Sequence, residues 1–396
     1  MKKLLFLSVF IFSTLVNAQV QFEKFSSLSD MLKAAKKQHK SIFIDAYTDW
    51  CGWCKVLDKE VFADKVFADT LHKYFIPVKL EMEKDSLGVI IARKYGIRSF
   101  PIALILNEDG RLITQIKGYS PIDAYTKELQ DAIEKTKAKV VVTGYSSNYN
   151  LKYPDSYLKH FPMPSKKREK RDSVQVNNYL ANQNNWNNEI VWLTLKTERF
   201  ILSTANQDKL IPLLPDFAKS FGESEAEDLY IAIADKRIKQ LMSADELVFI
   251  KEVQKITQNI SASSVWWYDF NYKLDYYKNK KDYNKVTTLV DEFVNSTHQK
   301  NNVGSINEVA WELYQSCNDT SLLNRAIGWM QNCVLPKAPL FNYIDTYAAL
   351  LYKTGKLEEA KAQAKLAIKI GKVDGEKTTE TEKLLGQIET ALKNRE

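Results

Sequence analysis

Cysteine and histidine are scarce in this chain, with four of each in 396 residues. Four cysteines are too few for a disulfide-dense scaffold, which packs its bridges into a short secreted chain. His39, His72, His160 and His298 are scattered without metal-ligand spacing, which argues against a zinc enzyme. Thirteen glycines and ten prolines exclude collagen-like or silk-like repeats. Long apolar runs are missing beyond one near the N-terminus, so nothing else spans a membrane. A strong charge of one sign is absent too. The net charge is +7, but Lys2, Lys3 and the cluster Lys166-Lys167-Arg168-Glu169-Lys170-Arg171 hold most of it. The remainder is nearly neutral, unlike the distributed basic face that nucleic-acid binding needs. What is plentiful is apolar residue, 45% of the chain, ample for packed cores and incompatible with wholesale disorder. The length fits two or three domains at roughly 150 residues each.

Met1-Lys2-Lys3 is a short positive start, followed by an apolar run from Leu4 to Val16 and then Asn17-Ala18-Gln19. That is the layout of a secretory signal peptide, residues 1–18, cut after Ala18. As an anchor the run is short, reaching about 20 Å against a hydrocarbon core of roughly 30 Å. No cysteine lies near the cut, so a lipoprotein anchor has no support. The expectation is a protein secreted across the inner membrane. After cleavage it would be soluble, not membrane-embedded, in an oxidising periplasmic or other extracytoplasmic space.

Over 19–140 helical and strand patterns alternate. Leu28, Met31, Leu32 and Ala35 sit at helical spacing, and Ser41 to Tyr47 is an apolar run suited to a buried strand. Helices over 52–62 and 64–74 follow, then a strand over 76–82 and a helix over 86–95. Pro101 to Leu106 and Leu112 to Lys117 read as strands around Asn107-Glu108-Asp109-Gly110, a hairpin turn. A helix from Pro121 to Lys137 closes the unit, with proline in its first turn. The predicted fold is α/β, a mixed central sheet flanked by helices.

Between 141 and 185 the pattern breaks at Pro154, Pro162, Pro164, the basic cluster and an Asn-rich run, which reads as a linker or irregular connection. The cluster is solvated linker charge or a contact for a membrane surface or acidic partner. From 186 to 396 strand patterns vanish and an all-α region follows. Ile344, Tyr347, Ala348 and Leu351 lead through Gly355 to Ala360, Ala364 and Ala367. Ala310, Leu313, Tyr314 and Cys317, then Ala326, Met330, Cys333 and Pro336, repeat that spacing. Ala326 and Ala360 stand 34 residues apart, the length of a tetratricopeptide repeat, which this region resembles most evidently over 306–372. A weaker copy covers 265–294 and a capping helix 380–393, while 186–260 is helical with no repeat. The aromatic run Trp266-Trp267-Tyr268-Asp269-Phe270, with Tyr272, Tyr276 and Tyr277, is helix core or a peptide- or sugar-binding ledge.

Trp50-Cys51-Gly52-Trp53-Cys54-Lys55 falls between a buried strand and a helix. The Cys-x-x-Cys spacing brings both sulfurs within bonding distance across one turn. It places Cys51 at a helix N-terminus, where unpaired N–H groups and the dipole stabilise a thiolate. Cys51 is then the exposed nucleophile and Cys54 the more buried resolving thiol. Zinc would require two further Cys or His ligands nearby, and none lies between 55 and 71. Redox chemistry without metal or organic cofactor is the reading that remains.

On these residues the chain resembles thioredoxin over 40–138. Asp45 matches that family's buried aspartate near the resolving cysteine, and Lys79, in Val78-Lys79-Leu80, its lysine partner. Lys94-Tyr95-Gly96-Ile97-Arg98 is a stretch typical of the family. Pro101 falls at its cis-proline, and Gly118 at the glycine after the last strand. The hexapeptide and an extra N-terminal helix resemble an exported thioredoxin-like branch. The resemblance implies catalytic roles for Cys51, Cys54, Asp45 and Lys79. Buried among Phe43, Ile44, Ala46 and Tyr47, Asp45 would have a raised pKa and take the Cys54 proton. A cis bond after Phe100 would expose backbone on which a client chain pairs in β fashion. Trp50, Trp53, Phe100 and Pro101 are therefore the expected client contacts. Trp53 stands where thioredoxin has proline, and Phe100 and Ile102 flank Pro101 in place of smaller or hydroxyl-bearing residues. The dipeptide between the cysteines tunes thiolate pKa and potential, so Gly52-Trp53 leaves the direction of electron flow open.

Cys317 and Cys333 map onto inward-facing small positions of one repeat. They are two buried thiols, a structural disulfide or a second redox centre. The expected function is an exported thiol–disulfide oxidoreductase that reduces or isomerises disulfides in disulfide- or thiol-bearing client proteins. A membrane-bound electron donor or acceptor would sustain it, and the helical region would hold clients or partners. The rival is a client-binding or assembly protein whose helical region does the main work, with the thioredoxin-like domain as a holding module.

Overall fold

The structure, a computed structural model, describes residues 19–163, 170–296 and 302–395. The expected signal peptide and residues Lys166 to Glu169 of the basic cluster lie outside these. The chain forms two compact units, one ending at Lys236 and the other starting at Arg237. No helix among the described residues is long and apolar enough to cross a membrane.

The first unit opens with α1 (Leu28–Gln38), β1 (Ser41–Tyr47), α2 (Gly52–Glu60), α3 (Lys65–Tyr74), β2 (Phe75–Glu81) and α4 (Ser86–Tyr95). Strands β3 (Ile102–Leu106) and β4 (Leu112–Lys117) and helix α5 (Ile122–Lys137) follow. Short polar side chains start the helices: Ser27, Asp64 and Asp85 accept from backbone N–H groups in the first turns of α1, α3 and α4. Asn107 Oδ1 accepts from the N–H of Asp109 and of Arg111, which closes the turn between β3 and β4. The sheet order is β2-β1-β3-β4, with β1 parallel to β2 and the other pairs antiparallel. This is the mixed sheet flanked by helices that the sequence predicts. At Gly88, in α4, a Cβ would sit 2.0 Å from the Glu81 carbonyl oxygen, so only glycine lets the helix approach the end of β2.

Alternation along the strands divides the core in two. Ile42, Ile44 and Ala46 of β1 point to one face, with Met31, Ala35, Leu87, Ile91 and Tyr95 of α1 and α4. Phe43 points to the other, with Leu57 of α2, Phe67 and Leu71 of α3, and Leu129 of α5. Asp45, two residues after Phe43, is thereby committed to the face on which α2 lies.

The segment expected as a linker or irregular connection contributes to the core. Tyr145, Tyr157 and Phe161 are buried in the same cluster as Ile44 and Tyr95. Helices α6 (Asp155–Leu158), α7 (Ser173–Ala181), α8 (Glu189–Glu198), α9 (Thr204–Leu210), α10 (Leu214–Phe221) and α11 (Glu223–Gln240) continue it. Trp192 of α8 stacks on Phe221 of α10 at 4.6 Å, and both belong to that cluster. Lys94 of α4, fully buried, is ion-paired with Glu189 and donates to the Asn148 carbonyl at 2.8 Å. The compact unit thus runs past the expected boundary near 186, because α4 presents buried polar and aromatic groups that only later residues satisfy.

The second unit is all helical. It contains α12 (Glu246–Thr257), α13 (Val265–Asn279), α14 (Tyr283–Val294), α15 (Val303–Ser316) and α16 (Thr320–Trp329). A π-helical turn at Met330–Val334 precedes α17 (Phe341–Lys353), α18 (Leu357–Asp374) and α19 (Thr379–Lys393). Consecutive helices pack on one another, and Ala310, Ala326, Ala348, Ala360 and Ala364 are fully buried where they meet. In α13, Phe270 stacks on Phe293 at 4.5 Å and Tyr276 on Phe249 at 4.0 Å, so these rings of the aromatic run are helix core.

Candidate functional site

Strand β1 ends at Tyr47, and Cys51 caps α2 in an extended conformation. Cys51 and Cys54 are joined as a disulfide, and Cys51 Sγ accepts the Cys54 N–H at 3.0 Å. A first-turn amide of α2 therefore reaches the Cys51 sulfur, the arrangement that favours its thiolate once reduced. Exposure does not separate the two cysteines as expected, since Cys51 is 4% and Cys54 3% exposed. Their difference lies in position, one capping the helix and the other inside its first turn.

Asp45 is 1% exposed, and in the parallel register it pairs with Lys79 of β2. Lys79 Nζ lies 2.9 Å from Asp45 Oδ2 and donates also to Asp58 Oδ1 on α2. Burial pushes the Asp45 carboxyl up to about 6, against the opposing pull of Lys79 and with a further push from Asp58. Burial alone would lower the Lys79 ammonium, but Asp45 and Asp58 outweigh it and hold its pKa above the ordinary lysine value. The rings of Phe22, Tyr47 and Phe62 surround that ammonium at 4.9–5.8 Å. Asp45 Oδ1 has no hydrogen-bond partner among the described residues, which leaves it able to accept a proton.

Aromatic rings frame the disulfide. Trp50 is 63% and Trp53 61% exposed. Trp50 meets Phe100 edge-on at 5.8 Å and donates through Nε1 to Glu83 at 2.9 Å. Trp53 stacks on Tyr119 at 5.2 Å, and the Tyr119 hydroxyl donates to Glu60. The Phe100–Pro101 peptide is cis, and the Pro101 carbonyl accepts from Gly118 N–H at 2.9 Å. Gly118 has φ +78°, a conformation that side chains disfavour.

Trp50 and Phe100 are thus in contact, as are Asp45 and Lys79. Sequence reasoning missed Asp58, Glu83 and Tyr119. Asp58 had a signal, a carboxylate one helical turn after Cys54 on the same helix. Glu83 had none, because its link to Trp50 is made through the fold. Cys317 and Cys333 are free and buried, so the structural disulfide considered for them is not formed. Both sit in the apolar core of the second unit, where burial raises the Cys333 thiol above its ordinary value.

Sheet order, a strand-to-helix Cys-x-x-Cys and a cis-proline before β3 define a thioredoxin-type domain. The family model described as a thioredoxin-like domain matches residues 28–133. A thioredoxin of Alternaria alternata is 31% identical over 93 residues, 23% of this chain and 67% of that one. The chain belongs to the thioredoxin-like family. It is also similar to a thiol:disulfide interchange protein, DsbD, of Actinobacillus pleuropneumoniae, at 27% identity over 105 residues. That match covers 26% of this chain and 18% of the relative, so the chain spans less than a fifth of that protein. Among solved structures, one from Bacteroides thetaiotaomicron, described as a candidate disulphide-isomerase, is 32% identical. The similarity covers 30% of this chain and 95% of that one, with a TM-score of 0.28.

Proposed function

We propose that the chain is an extracytoplasmic thiol–disulfide oxidoreductase that reduces or isomerises disulfides of client proteins through Cys51 and Cys54. The observation that carries this reading is the Cys51–Cys54 disulfide at the N-terminus of α2, on the sheet face that bears Asp45. In the reduced enzyme the Cys51 thiolate attacks one sulfur of a client disulfide. A Cys51–client disulfide forms, and the other client sulfur leaves with the electron pair as a thiolate. Cys54 gives its proton to Asp45 and attacks Cys51 Sγ. The mixed disulfide breaks, the second client thiolate leaves, and the Cys51–Cys54 disulfide forms again. Two electrons pass to the client, whose thiolates take protons from water, so a donor must return two electrons and Cys54 must regain its one proton. A membrane-bound reductase in the same compartment fits that role, and no bound metal or organic cofactor is required.

The signal-like N-terminus supports export to the periplasm or an equivalent space. Trp50, Trp53, Phe100 and Pro101 would contact the client. The second unit would hold clients or partners. Ala326 and Ala360, 34 residues apart in the sequence and both fully buried, support a tetratricopeptide-like stacking of its helix pairs. The test is reduction of insulin by the full chain with a dithiol donor. Cys51→Ser should abolish it, and a Cys51→Ser chain that still reduces insulin would overturn the reading.

A further inference from the structure

A cavity of about 290 Å³ that the steps above do not use is walled in part by residues adjoining the redox pair and the cis-proline in sequence. Lining it are Trp50 and Phe100, the sequence neighbours of Cys51 and Pro101, together with buried Ile97. Met82, Glu83 and Ala92 add to it, and His160, Phe161 and Pro162 complete the lining from beyond the residues that match the family. This added stretch is fixed in place. Arg93 of α4 donates to the Phe161 carbonyl through Nε at 2.8 Å and Nη2 at 2.6 Å. His160 is buried, and its Nε2 donates to Glu198 of α8, which is fully buried as well. A buried imidazole held by a buried carboxylate is costly to assemble, and the family's own sheet and helices contain neither residue. Its visible consequence is a ring set into the wall of a cavity that Trp50, the neighbour of Cys51, also lines.

The chemistry of the lining selects the guest. Trp50 Nε1 is committed to Glu83 and His160 Nε2 to Glu198, and the Glu83 carboxylate itself lines the cavity, so an acidic group entering would lose its hydration and meet a like charge. An apolar side chain would gain by leaving water. In an extended polypeptide, residues two apart share a face at about 7 Å separation. A client whose sulfur meets Cys51 would therefore present its next same-face side chain to the neighbourhood of Trp50 and Phe100.

We propose that this cavity receives one large apolar side chain of an extended client, two residues from the reacting cysteine. His160, positioned by Glu198, is a specificity-determining part of its wall. The proposal rests on the oxidoreductase reading above and adds to it a preference among clients.

The experiment uses the full chain and a set of disulfide-bearing peptides. They are identical except for phenylalanine, alanine or aspartate two residues before or after the cysteine. The kcat/KM for reduction should favour the phenylalanine peptide over the alanine one by about tenfold or more, the scale a hydrophobic pocket supplies. His160→Ala removes part of the wall, and Pro162→Trp at the partly exposed rim fills the cavity without touching the buried pair. In both the ratio should fall towards one, and Pro162→Trp carries the test if His160→Ala does not fold. A ratio near one in the unaltered chain, or a ratio that both variants leave unchanged, overturns the pocket while the oxidoreductase reading stands. Failure of the unaltered chain to reduce any peptide overturns both.

Discussion

Lys79 Nζ stands 2.9 Å from Asp45 Oδ2, across the parallel pair of β1 and β2 where the two residues are in register. The same ammonium is bonded to Asp58, so one lysine serves a buried carboxylate and a partly exposed one. The pair alone would keep Asp45 ionised, but burial wins and holds the carboxyl up to about 6. In the proposed mechanism, where Asp45 takes the Cys54 proton, that value lies close to neutrality, where general-base catalysis is most effective.

Release of the client from the mixed disulfide should quicken as the pH rises through about 6, where Asp45 becomes able to accept a proton. Lys79→Met removes the cation that favours the carboxylate and should move this inflection to higher pH. Asp58→Asn removes a neighbouring negative charge and should move it lower. Asp45→Asn should slow the step on the order of 10²-fold. Single-turnover rates across the pH range check all three. An inflection that none of the variants moves would remove Asp45 from the step.

The same burial makes Asp45 a liability for stability. Its folded-state pKa of about 6 lies above the ordinary 3.8, so the folded chain binds this proton more tightly than the unfolded one. The contribution is complete below about pH 4 and is lost as the pH rises through about 6. Asp45→Asn should remove that dependence and raise stability at neutral pH by about 2–3 kcal/mol. Urea unfolding of both proteins at acidic and neutral pH measures it. Equal stability at neutral pH would show that Lys79 compensates the burial in full.

Lys94 and Glu189 tie α4 to α8, and the lysine is fully buried. Glu189→Leu strands that ammonium and should cost about 3–5 kcal/mol. Adding Lys94→Met should recover most of the loss, since an apolar pair of similar size substitutes well for a buried ion pair. By the same reasoning a fragment of residues 19–140 should unfold at lower denaturant than one of residues 19–236, because Tyr95 and Ile97 lose the cluster they share with Tyr157 and Trp192. A fragment of residues 19–140 as stable as the longer one would mean that the later helices add nothing to the thioredoxin-like core.

The sequence made the redox domain legible because its signals are local. Ser41 to Tyr47 reads as a strand from its apolar run, Asn107 to Gly110 as a turn from its residue types, and Cys51 to Cys54 as a redox pair from spacing and context. What escaped depends on distant partners. Lys94 looks like a surface lysine until Glu189, 95 residues on, is placed beside it. Tyr145 and Tyr157 sit among prolines and asparagines with no periodicity, so their stretch reads as a linker although both rings are buried. Cys51 reads as the exposed nucleophile of the pair, yet the fold leaves it as buried as Cys54. His160 and Glu198 form a pair that no motif marks.

The most direct test of the central claim is a redox titration of the full chain in glutathione buffers, with thiols trapped and assigned by mass. The account predicts one two-electron transition, confined to Cys51 and Cys54, with a potential between about −270 and −180 mV, the span from thioredoxin to disulfide isomerase. Cys317 and Cys333 should stay reduced throughout, since both are buried and unbonded. A potential near −120 mV, that of a strong oxidant, would reverse the proposed electron flow. The absence of any transition at Cys51 and Cys54 would contradict the account outright.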